Sequence, residues 1–206
     1  KKADLMQVIP EIDLPMLCGY ARERGVGLIL WAGYWAFDRD MENVCRHYSE
    51  MGVKGFKVDF MDRDDQIMVD FHKRAAEMAA KYHLMIDFHG TYKPAGLNRT
   101  WPNVVNYEGV HGLEQMKWSP NTVDQVTYDV TVPFIRMAAG PMDYTQSPFP
   151  AVSDKLLKIN LRDNLVQVVG VLDRPAFIED DIFNAMLLGE VDVVLVGVVV
   201  DAGAEV

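Results

Sequence analysis

Short apolar runs alternate with amphipathic stretches along most of this chain. Gly25 to Trp35 (GVGLILWAGYW) is almost continuously apolar, the mark of a strand covered on both faces. Between Asp38 and Met51 the apolar positions are Met41, Val44, Cys45, Tyr48 and Met51, which is helical spacing. Gly55 to Met61 (GFKVDFM) predicts a second strand. From Asp64 to Tyr82, residues Met68, Phe71, Ala75, Met78, Ala79 and Tyr82 form one stripe of a long helix, with Asp64 or Asp65 placed to cap it. His83 to Gly90 (HLMIDFHG) and Val104 to Val110 (VVNYEGV) predict strands three and four. A further helix is expected to start near Asn121 and to end or kink at Pro133, which has no amide proton. Ile135 to Tyr144 (IRMAAGPMDY) then predicts a fifth strand and its loop.

Five alternations of strand and helix imply parallel βαβ units and an α/β fold class. The architecture expected is a (β/α)8 TIM-type barrel, present in part, because about five units are recognisable and a closed barrel takes roughly 250 residues. An open doubly wound sheet is the structural alternative. The strands are expected near residues 27–33, 55–60, 84–89, 104–108 and 135–140. Beyond about residue 146 the character changes: residues 147–206 contain no Tyr, Trp, Cys or His, and hold ten acidic against four basic side chains. Residues 1–146 are therefore assigned to a barrel segment and 147–206 to an acidic, Val-rich tail of unknown origin, either completing the barrel or appended to it. Within the tail, Val191 to Val200 (VDVVLVGVVV) has the pattern of a buried strand and Asp180 to Leu188 that of a short helix.

Half of the 206 residues are hydrophobic, enough for a core that needs no staples. Cys18 and Cys45 make neither a disulfide framework nor a metal-binding spacing. A net charge of −10 argues against nucleic acid and anionic membrane surfaces as partners. No apolar run reaches the roughly 18 residues of a membrane span. Lys1-Lys2-Ala3-Asp4 leads straight into mixed sequence, so no signal peptide is expected within these residues.

In a parallel barrel, chemistry collects at the C-terminal strand ends. Alternation puts Phe56, Val58 and Phe60 on one face of the second strand and Lys57 with Asp59 on the other. In the third strand Leu84, Ile86 and Phe88 face outward, leaving Asp87 and His89 inside. In the fourth, Asn106 and Glu108 share a face, and Glu114 follows in the next loop. Polar groups in phase on successive strand ends are costly to bury without a purpose. Such a set suits glycoside hydrolysis, where one carboxyl protonates the leaving oxygen and another attacks or activates water. Each residue singly could equally be a satisfied structural group, and Asp62, Asp64 and Asp65 fit helix capping better than chemistry. A metal-dependent lyase would use the same carboxylates.

WAGYW (31–35), GVKGFKVDFMDRDDQ (52–66), DFHG (87–90), PAGLNRTWPNVVNYEGVHGLE (94–114) and AGPMDYT (139–145) resemble glycoside hydrolase family 97, over roughly residues 5–145. The resemblance implies an α-glucosidase or α-galactosidase, usually calcium-dependent, acting on oligosaccharide or α-glycoside substrates in the periplasm or outside the cell. It implies that Glu114 is the general acid/base and, with Glu108, a calcium ligand. Inverting members carry a base glutamate directly after the histidine of the strand matching DFHG; here that position is Gly90. Retaining members carry an aspartate at the end of the VDF strand; here that is Asp59. The retaining branch is the closer match, with Asp59 as nucleophile and α-galactosides favoured over α-glucosides. Lys57 is expected to face the sugar and keep Asp59 ionised. His89, Asp87 and Trp31 are expected to bind substrate, with Trp35 and Trp118 as further candidate platforms. Relative to the family, the N-terminal β-domain and the first barrel strands have no counterpart in these 206 residues, and the sequence after AGPMDYT departs from it. A catalytically inactive fragment or carbohydrate-binding remnant is the alternative.

Overall fold

A computed structural model describes residues 4–8, 12–113, 115 and 124–145, together with the backbone of 197–199. Its centre is a parallel sheet in the order β4-β3-β2-β1-β5. The strands are β1 (Ile29–Gly33), β2 (Gly55–Asp59), β3 (Met85–Phe88), β4 (Val104–Tyr107) and the short β5 (Gly197–Val199), which runs beside Ile29–Trp31. Neighbours β1 to β4 follow one another in sequence and pair in parallel, as successive βαβ units do. The sheet is α/β and parallel as expected.

The helices are α1 (Leu14–Glu23), α2 (Tyr34–Arg39), α3 (Met41–Met51), α4 (Gln66–Lys81), α5 (Leu97–Thr100) and α6 (Gln125–Arg136). The apolar run that begins at Gly25 stays extended only to Gly33; Tyr34 and Trp35 already belong to α2. In α4 the expected stripe is the buried face, and Asp65 rather than Asp64 is the cap, its side chain accepting from the Met68 amide. Helix α1 was not anticipated. Its signal is Asp13 followed by Leu14 and Pro15, a capping acid ahead of a proline in the first turn.

One apolar cluster lies between the sheet and α1 to α4. Phe56, Val58, Ile86, Phe88 and Tyr107 from the strands meet Phe37, Val44, Tyr48, Met68, Phe71 and Ala75 from the helices. Phe37 meets Phe56 at a tilt and Tyr48 meets it edge to face, at ring-centre distances of 5.2 and 5.7 Å. Phe60 does not join this face. The chain turns at Phe60, which has φ +67° and is 58% exposed.

The fifth strand expected near 135–140 is not formed. Those residues are the last turn of α6 and a turn of 3-10 helix (Met137–Ala139). Helix α6 begins at Gln125, capped by the Asp124 side chain on the Thr127 amide, and it runs through Pro133 instead of ending there. The apolar character of this stretch misleads because most of it is on the outside: Phe134 and Ile135 are 85% and 71% exposed. Its inward residue is Arg136, whose guanidinium donates to the carbonyl oxygens of Tyr107, Glu108, Gly109, Gly140 and Pro141 at 2.9–3.2 Å. Those bonds hold the residues after α6 against the end of β4, where the Asp143 amide donates to the Tyr107 carbonyl at 2.7 Å.

Candidate active site at the strand ends

The register sets Lys57 beside Asp87 and Asp87 beside Asn106 across β2, β3 and β4, and Gly33 beside Asp59. The His89 amide donates to the Val58 carbonyl and the Glu108 amide to the Phe88 carbonyl, each at 2.8 Å, so the strand ends continue in step. Lys57, Asp59, Asp87, His89 and Glu108 consequently gather at one end of the sheet. Glu114, Trp118 and the run Asp180–Leu188 lie outside the described residues.

Asp59 is buried at the tip of β2. Its Oδ2 accepts from the Trp31 indole at 2.9 Å, and its Oδ1 from the amide of the following residue, Phe60, at 2.6 Å. Trp31 is partly exposed and meets Phe60 edge to face at 5.2 Å. Gly90 approaches from β3 with φ +57°, a conformation that side chains with a Cβ adopt at a cost. A Cβ there would stand 2.8 Å from Asp59 Oδ1 and 2.9 Å from the Phe60 nitrogen.

Lys57 is 2% exposed, and its direct partner is Asp143: Lys57 Nζ lies 2.8 Å from Asp143 Oδ2. Burial works to lower the Lys57 pKa, but the Asp143 and Asp87 carboxyls outweigh it and raise it, so the ammonium persists. Asp143 is the opposite case. Burial alone would raise it, yet hydrogen bonding from His89 and the Lys57 charge bring its pKa below the ordinary range. Asp87 has no exposed surface; burial, then the Asp143 carboxylate, raise its pKa well above the usual carboxyl range. The cluster drives its two acids in opposite directions, which is how closely placed carboxyls share limited counter-charge.

His89 bridges two acids. Its Nδ1 is 2.7 Å from Asp143 Oδ2 and its Nε2 is 3.3 Å from Glu108 Oε1. Glu108 Oε2 accepts from the Gly90 amide at 2.6 Å. Thus both Glu108 oxygens face N–H groups of β3 and its end. Among the described residues no group of three or more His, Cys, Asp or Glu is arranged to hold a metal. Trp35 is 55% exposed on α2 and packs on Tyr34. A cavity of about 330 Å³ between Leu5, Ala36, Arg39 and Val44 includes none of these strand-end groups.

Sequence reasoning missed Asp143 and Arg136. Asp143 was visible inside AGPMDYT, but the strand expected there gave its side chain no reason to reach Lys57 and His89. Arg136 looked like one polar position in that same strand.

The family model for glycoside hydrolase 97 matches residues 1–110. A retaining alpha-galactosidase of Bacteroides thetaiotaomicron is 73% identical over 145 residues, which is 70% of this chain and 22% of that protein. A probable retaining alpha-galactosidase of Streptomyces bingchenggensis is 38% identical over 138 residues, 66% of this chain and 21% of that protein. Among solved structures, a variant glycoside hydrolase family 97 enzyme from Pseudoalteromonas sp. strain K8, in complex with panose, superposes with a TM-score of 0.60 at 26% identity, covering 71% of this chain and 25% of that one. This chain thus spans about a fifth of the curated relatives it matches. With a model match over more than half of its residues, the chain belongs to glycoside hydrolase family 97.

Proposed function

We propose that this chain carries the nucleophile side of a retaining, exo-acting α-glycosidase site, with terminal α-galactosides favoured over α-glucosides, and that its sheet is part of a (β/α)8 barrel. The contact between Gly90 and Asp59 carries this reading. Any side chain at position 90 would collide with Asp59 Oδ1, so a base at 90 and Asp59 in its present seat exclude one another. With no side chain at 90 to activate water, Asp59 is the carboxylate placed to attack, which is the double-displacement route. The names of the Bacteroides and Streptomyces relatives support the same branch.

In this scheme the Asp59 carboxylate attacks the anomeric carbon while Glu114 protonates the departing oxygen. Glu114 then removes a proton from the water that releases the sugar. Bonds from Trp31 and the Phe60 amide fix the direction of Asp59 before substrate arrives. Trp31, being partly exposed, is the substrate contact. Lys57, Asp87 and His89 act from beneath, setting the charge and rigidity of the floor.

Calcium belongs to the same proposal, held by Glu108 and Glu114. The ion takes six to eight oxygens, and the described residues offer the Glu108 carboxylate, whose oxygens already face Gly90 and His89. A second reading, a catalytically inactive or carbohydrate-binding segment, rests on Trp31, which is partly exposed beside Asp59.

Hydrolysis of p-nitrophenyl α-galactoside, followed by NMR with and without calcium, tests the proposal. The α-anomer of galactose should appear first, and calcium should raise the rate. Asp59→Ala should abolish turnover, with azide restoring part of it as the glycosyl azide of opposite configuration. Glu114→Ala should spare the first step with this activated leaving group. Release of the β-anomer first, or an active Asp59→Ala, overturns the retaining mechanism; no hydrolysis of any α-glycoside favours the second reading.

A further inference from the structure

The buried charge at the strand ends converges on a single oxygen. Asp143 Oδ2 lies 2.8 Å from the Lys57 ammonium of β2 and 2.7 Å from Nδ1 of His89, just past β3. Its own amide is bonded to the Tyr107 carbonyl of β4. One residue from outside the sheet therefore ties three consecutive strands together at the end where Asp59 sits.

We propose that Asp143 is a positioning residue of this site: its carboxylate fixes the Lys57 ammonium and the His89 ring, and through His89 the Glu108 carboxylate. At 4% exposure it does not reach a sugar, so it acts only through these neighbours. Two consequences follow from the geometry. A carboxylate oxygen can only accept, so His89 presents an N–H on Nδ1 to Asp143 and, to an ionised Glu108 3.3 Å away, an N–H on Nε2 as well. A buried ammonium also needs a contacting anion. Because Asp143 supplies it, the Asp59 oxygens remain with Trp31 and Phe60 instead of closing an ion pair on Lys57. The nucleophile keeps its aim and its availability. The low pKa of Asp143 agrees with a carboxylate that stays ionised in this role.

The test is made on the 206-residue chain with 15N-labelled histidine. The proton on His89 Nδ1, identified by its loss in His89→Gln, should appear far downfield and exchange slowly with water. Asp143→Ala should remove that resonance, and Asp143→Asn, which keeps the shape but not the charge, should shift it upfield. Ile86→Val, a core change in β3 on the face away from His89, should lower Tm and leave the resonance in place. If the resonance is unmoved in Asp143→Asn, or is lost in Ile86→Val as well, the proposal is overturned. Should Asp143→Ala not fold, Asp143→Asn still decides. A kinetic arm rests on the glycosidase reading: Asp143→Asn should lower kcat by about tenfold while KM changes by less than about threefold. An unchanged kcat overturns the positioning role. A wild-type chain with no hydrolysis overturns the glycosidase reading instead, and the resonance then decides on Asp143 alone.

Discussion

His72, on the inward face of α4, has no exposed surface. Its Nδ1 lies 2.7 Å from the Met68 carbonyl oxygen and its Nε2 2.8 Å from the Thr91 hydroxyl. A carbonyl only accepts, so Nδ1 holds the proton and Nε2 accepts from Thr91; the neutral ring is fully satisfied. Burial pulls its pKa down to about 4, against a smaller upward pull from the Met68 bond. In the unfolded chain a histidine titrates near 6.5. As pH falls from about 6.5 to about 4, the unfolded state takes up a proton that the folded state refuses, so stability is lost on going down through that window. The full loss is about 3 kcal/mol. Tm measured between pH 7 and pH 4 should fall, and His72→Phe should flatten the part of the slope above the carboxylate range. A wild type and variant with parallel slopes would contradict this. At this scale much was legible in the sequence. Lys57, Asp59, Asp87, His89 and Glu108 stand in phase with their strands, and alternation alone sends them to one side. The partner of Lys57 was not legible, because a contact with Asp143 is decided by how a distant segment packs and leaves no local pattern.

Among the elements, α4 and α6 show when periodicity can be trusted. In α4 the stripe, the cap and the burial agree, so pattern and structure coincide. In α6 only Val132 and Arg136 are buried, while Val126, Val130, Phe134 and Ile135 are exposed. Hydrophobic pattern there carries no information about which side faces the sheet, and the residues from Ile135 onward, where the helix in fact runs on to Arg136, read as a strand. What orients α6 is a polar anchor, the Arg136 guanidinium and its five carbonyl partners, with burial lowering the pKa of a group that stays charged regardless. Removing the donors would leave buried carbonyls unpaired, at about 1–3 kcal/mol for each one that water cannot reach. Arg136→Met should therefore lower urea-unfolding stability by roughly 3 kcal/mol or more. Arg136→Lys, with fewer donors and no planar fork, should recover only part of it. An Arg136→Met chain as stable as wild type would show that the carbonyls find other partners.

At the scale of the whole molecule, the parallel order of β1 to β3 could be read from the sequence because a helical period separates each of these strands from the next, whereas only the four-residue α5 lies between β3 and β4. Closure into a barrel could not be: it depends on strands beyond those four, and the fifth one expected turned out helical. The clasp at Asp143 also bears on how the molecule reaches its native state. Its bond to His89 spans 54 positions of sequence, whereas β2, β3 and β4 pair with their neighbours in the chain. Closing long loops costs more entropy than zipping adjacent units, so such a contact is expected to form after the sheet. A late contact weighs on the way out rather than the way in. In stopped-flow chevrons, Asp143→Asn should accelerate unfolding and leave the refolding rate nearly unchanged, while Ile86→Val in the sheet should slow refolding. Kinetic traces in which Asp143→Asn slowed refolding in proportion to its loss of stability would place the clasp in the folding nucleus. Otherwise Asp143 is a latch. It sets how long the assembled strand ends persist, and it has little say in how fast they assemble.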